Sequence, residues 1–70
     1  MNGERWVRIE PGSYMLTSLR RGPVAWVQRV HPDLNAWTYG RGSQPTIYAS
    51  ESDGIESTMK AAKLAVEDIL

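Results

Sequence analysis

The 70-residue sequence predicts an α+β fold: an antiparallel meander of four to five strands with one C-terminal amphipathic helix packed on one face. Three observations carry this reading. Up to residue 49, short runs of β-branched and aromatic residues are divided by glycine, proline and asparagine. From Ile55 onward, apolar residues recur at helical spacing. No repeat or low-complexity linker interrupts the chain, so residues 1–70 read as a single domain, with the sheet over 1–49 and the helix over 52–70.

The first strand is "RWVRIE", closed by the turn "PG", and the second is "SYMLTSL", closed by "RRGP". "VAWVQRV" and "AWTY" follow as the third and fourth, and after the loop "GRGSQP" the stretch "TIYA" reads as a short fifth. The helix spans about 16 to 18 residues, a length set by the amphipathic period. Its apolar stripe is Ile55, Met59, Ala62, Val66 and Ile69, widened by Ala65 and Leu70, with Lys60, Lys63 and Glu67 opposite. Acidic residues suit the positive end of the helix dipole, and either "SESD" or "DGIE" supplies a cap with a carboxylate three residues on.

The stretch from Val24 to Gly40, "VAWVQRVHPDLNAWTYG", concentrates two tryptophans and a tyrosine around one turn, so its register decides which rings share a face. Proline suits the first turn position and asparagine the left-handed one, which favours a four-residue loop from Pro32 to Asn35. Val30 then lies opposite Trp37, and Trp26, Val30, Trp37 and Tyr39 gather on one face as core beneath the small side chains Ala61, Ala62 and Ala65. Ala25, Val27, Arg29, Ala36 and Thr38 fall on the opposite, open face. A five-residue loop would move Trp37 to the face of Arg29 and split the cluster, because a slip of one residue inverts a strand. The alternative to a core is an exposed aromatic platform that binds something.

Charge is unevenly spread although the net charge is zero. Residues 1–49 hold all six arginines against Glu4, Glu10 and Asp33, which leaves +3; residues 50–70 carry −3. Such a dipole steers charged partners. Cysteine is absent, which excludes disulfides and thiolate metal sites and removes any need for an oxidising compartment. No apolar run approaches the roughly 20 residues of a membrane span, and "MNGERWVRIE" is unlike a signal peptide. The expectation is a soluble cytoplasmic protein, complete from Met1, with no membrane partner.

Catalytic chemistry finds little material. The single histidine, His31, reads as a turn residue beside Pro32, and no serine stands in a strained glycine-rich elbow. "ESDGIE" reads as a helix cap rather than a metal cluster, and "GRGSQP" lacks the lysine and following helix of a phosphate-binding loop, leaving Arg41 at the exposed tip of a mobile loop. The expected answer is no enzyme, no metal and no cofactor.

The layout of an early tryptophan, "GSYML", "AWVQR", "AWTY" and a final "MKAAKLAVEDIL" resembles small proteins encoded by phages and actinobacteria. That resemblance implies a phage-encoded modifier of a host protein, working in the host cytoplasm. A small sheet followed by one helix is also similar to the arm-binding N-terminal domain of tyrosine recombinase integrases, which lays its sheet in the DNA major groove. This second resemblance implies base and phosphate contacts from Arg8, Arg20, Arg29 and Arg41, although the extra strand and the acidic helix depart from that pattern. The leading expectation is a non-enzymatic binding module that meets a protein partner, or a second copy of itself, through the open sheet face or an edge strand. Its candidate contact residues are Arg8, Arg20, Arg29, Arg41, Val27 and Thr38; the alternative is a DNA- or RNA-binding sheet.

Overall fold

The computed structural model describes residues 3–70. Five antiparallel strands form one open sheet in the order β1-β2-β3-β4-β5: β1 (Glu4–Glu10), β2 (Ser13–Ser18), β3 (Gly22–Arg29), β4 (Trp37–Arg41) and β5 (Gly54–Glu56). Among the described residues one α-helix, α1 (Met59–Ile69), follows the sheet, and a single 3-10 turn (Ala49–Glu51) lies between β4 and β5. The β1–β2 turn is Pro11-Gly12, where proline supplies the first position and Gly12, at φ 83°, the second, which only glycine occupies freely.

The hairpin between β3 and β4 differs from expectation by one residue. The Val30 N–H donates to the Ala36 carbonyl at 2.9 Å, so the loop is His31 to Asn35, five residues rather than four. His31 belongs to the turn because its carbonyl accepts from the Leu34 N–H (3.0 Å) and its ring Nδ1 from the Asp33 N–H (3.1 Å). Arg29 therefore opposes Trp37, Val27 opposes Tyr39 and Trp26 opposes Gly40. The expected cluster of Trp26, Val30, Trp37 and Tyr39 is split, with Trp37 and Tyr39 on one face and Trp26 on the other.

The helix covers the face that carries Leu16, Ala25 and Val27, and its Ala62 and Val66 complete a fully buried cluster with them. Trp6, Tyr14, Trp37, Tyr39 and Met59 ring this cluster, so small groups meet at the centre and large rings close the rim. Val27, expected on the open face, lies at its centre.

The opposite face is not open at β3 and β4. Trp26 is only 2% exposed and Thr38 is fully buried, because the connection from β4 to β5 folds back across them. The Thr38 hydroxyl lies 2.6 Å from the Thr46 carbonyl, and Gln44 and the segment 50–53 border the same depression as Trp26 and Gly40. Thr46–Ala49 is thus cover rather than a fifth strand.

The true β5 comes from residues assigned to the helix start. Gly54 lies opposite Tyr39, whose ring occupies the space a Cβ would need, and the Asp53 N–H bonds the Tyr39 carbonyl at 2.8 Å. With Gly54–Glu56 in the sheet, α1 shortens to 11 residues, and its N-cap is Thr58, whose hydroxyl accepts the Ala61 N–H at 3.1 Å. The acidic residues thought to cap it do other work: Asp53 pairs with Arg41, and Glu56 sits opposite Trp37.

Candidate interaction edge

The six candidate contact residues do not converge. Val27 and Thr38 are fully buried on opposite faces, so neither offers a side chain to a partner. Arg41 is at the end of β4 rather than on a loop tip, and Asp53 receives its backbone N–H (3.1 Å), its Nε (3.2 Å) and its guanidinium NH2 (3.4 Å). Arg29 donates from Nε to the Leu34 carbonyl at 3.1 Å and lies 5.9 Å from the centre of the Trp37 ring, bracing the β3–β4 loop. Arg20 is exposed at the β2–β3 turn, where its backbone N–H meets the Ser18 hydroxyl. Arg8 alone of the six is exposed on a strand whose outer edge is unpaired among the described residues.

Sheet order leaves two edges, and they are unequal. β5 has three residues, too few to template much pairing, whereas β1 has seven. The polarity of β1 follows from one bond. The Leu19 N–H donates to the Gly3 carbonyl at 2.7 Å, which makes Gly3 and Leu19 a hydrogen-bonded pair continuous with the β1–β2 register. Antiparallel pairing alternates, so Arg5 and Val7 also turn their backbone groups toward β2, and Glu4, Trp6 and Arg8 turn theirs outward. The register shift between Arg8 and Glu10, followed by Pro11, ends the regular edge there.

Side chains complete the description of this edge. Glu4, Trp6 and Arg8 share the helix face, as does Tyr14 on β2. Lys63 of α1 places its Nζ 4.4 Å from the Tyr14 ring centre and 5.3 Å from that of Trp6, and Glu67 accepts the Trp6 indole N–H at 3.2 Å. The helix thus holds Trp6 at the rim through Lys63 and Glu67. Glu4 lies 3.7 Å from Arg21. On the other face Val7 and Ile9 are 37% and 58% exposed. Sequence reasoning overlooked Trp6, Lys63 and Glu67; the signal was present, since Lys63 and Glu67 are spaced four apart on one helix face.

A second concavity, a shallow cleft of about 340 Å³, lies between the β1–β2 turn and the β3–β4 loop, bordered by Pro11, Gly12, Gln28, Arg29, Val30, Pro32 and Ile47. Its charged member, Arg29, already serves the loop. Among the described residues no group of three His, Cys, Asp or Glu side chains is placed to hold a metal ion, and no helix is long and apolar enough to cross a membrane. No family model, curated protein or solved structure matches the chain.

Proposed function

We propose that this chain is a small non-enzymatic binding module that captures an extended segment of a protein partner on the outer edge of β1. The observation that carries the reading is the outward set of backbone groups at Glu4, Trp6 and Arg8 on the longer of two sheet edges. Main-chain hydrogen bonds supply affinity in strand addition, and alternate side chains supply selectivity. Trp6 and Arg8 on one face, with Val7 on the other, give such a selective rim.

Non-enzymatic action is supported by how the polar residues are used. His31 caps a turn, Asp53 closes the β4–β5 connection on Arg41, and Thr38 anchors that connection from beneath. In this reading the protein works in the cytoplasm, as a phage-borne modifier would in its host.

Selection from a displayed library of ten-residue peptides tests the proposal, with binding mapped by amide chemical shifts. Enriched peptides should perturb Glu4, Trp6 and Arg8, and Arg8→Pro should abolish binding by removing one outward N–H while sparing the β1–β2 ladder. Failure of the monomeric chain to enrich any peptide, or binders that map elsewhere, would overturn it. Labelled duplex DNA and single-stranded RNA, titrated at low and then moderate salt, serve as the counter-test. Affinity falling steeply with salt and lost on Arg8→Ala and Arg20→Ala would favour the nucleic-acid reading instead.

A further inference from the structure

We infer that the segment β1 receives is β1 of a second copy, in an antiparallel pair with Trp6 on the two-fold axis. The inference rests on the edge reading above and adds an occupant and a register to it. Pairing about Trp6 places Glu4 opposite Arg8 of the other copy, twice, with the two Trp6 rings between these ion pairs. All three outward-facing residues then fall in hydrogen-bonded pairs. Arg5 and Val7 oppose one another on the far face.

Charge selects this register over its neighbours. Moving the axis to Val7 sets Glu4 against Glu10, and moving it to Arg5 sets that arginine against itself. Opposite charges directly across a strand pair stabilise it, and like charges destabilise it. The Arg21 contact at 3.7 Å leaves Glu4 able to take a second guanidinium, because a carboxylate has acceptor sites for both. Directly opposed residues share a face, so both helices lie on the same side of a ten-stranded sheet, each holding its own Trp6 through Lys63 and Glu67. The result is an isologous closed dimer, which buries the longer edge of both copies.

Sedimentation equilibrium of the full chain from micromolar to several hundred micromolar reads the outcome. The parent should form a dimer; Glu4→Arg and Arg8→Glu, each confirmed folded by circular dichroism, should weaken it roughly tenfold or more. An equimolar mixture of the two single variants should recover the dimer, since each then meets its opposite charge. A monomeric parent throughout, or single variants that associate as tightly as the parent, would overturn the inference. Peptides captured on β1 by a monomeric parent would also overturn it while leaving the edge reading intact; a monomeric parent with no peptide binding removes both.

Discussion

The Trp26 indole lies against Gly40, its partner across β3 and β4, so closely that a Cβ at residue 40 would sit 2.7 Å from the ring carbon Cζ2. Gly40 has an ordinary strand conformation, so its requirement for glycine is steric rather than conformational. The ring fills the gap that a glycine leaves in the middle of a strand, and the β4–β5 connection seals it from above. Tyr39 does the same for Gly54 on the other face. Each cross-strand pair joins a large ring to an absent side chain.

Gly40→Ala should therefore destabilise the fold by about 1–3 kcal/mol through overpacking, and Trp26→Ala by about 3–5 kcal/mol through the cavity it leaves. Urea denaturation measures both. An alanine at 40 that leaves the midpoint unchanged would show that the ring is free to move away.

The three tryptophans should differ in quenching. Trp26 is 2% exposed, while Trp6 and Trp37 are only partly buried. In variants carrying Phe at two of the three positions, acrylamide should quench Trp26 least and its emission should be the most blue-shifted. Equal quenching of Trp26 and Trp37 would restore the register in which both share one face.

Thr38→Val tests the staple between sheet and cover. The hydroxyl is fully buried, 2.6 Å from the Thr46 carbonyl and 3.2 Å from that of Gln28. Its loss should cost about 1–2 kcal/mol. Hydrogen exchange should quicken in residues 42–53 more than in α1; uniform acceleration would mean that the connection has no separate anchor.

Helix capping gives a sharper contrast. Thr58→Ala removes the only side-chain cap of α1 seen among the described residues and should cost about 1 kcal/mol. Asp53→Asn weakens the half-exposed pair with Arg41 and should cost less than about 1 kcal/mol, falling further with salt. If Asp53→Asn instead lowered helicity as Thr58→Ala does, the helix would begin earlier than Met59.

Local chemistry made much of this legible. The four leading strands, the Pro11-Gly12 turn and the burial of Ala62 and Val66, with Met59 partly buried beside them, follow from alternation, turn preference and periodicity, all short-range signals, whereas the expected stripe members Ile55, Ile69 and Leu70 are exposed. The register of β3 and β4 was not legible, because turn preference ranked a four-residue loop above five and could not see His31 bonding Asp33 and Leu34. Residues 46–56 were misread for a related reason. "TIYA" has strand composition and "DGIE" has helix-start composition, but Thr38 claims the first as cover and Tyr39 claims Gly54 as strand.

The candidate site divides along the same line. Arg8 stood out as a sheet arginine from sequence, whereas the use of Arg29, Arg41, Val27 and Thr38 inside the fold depends on distant partners. By itself the sequence determined the class of fold, the order of its early strands and the uneven charge, since these need only neighbours along the chain. Tertiary structure alone decided which face each ring occupies, which acid caps nothing and pairs with arginine instead, and which edge stays open. Those outcomes depend on contacts between residues far apart in sequence, where one step of register reverses every side chain at once.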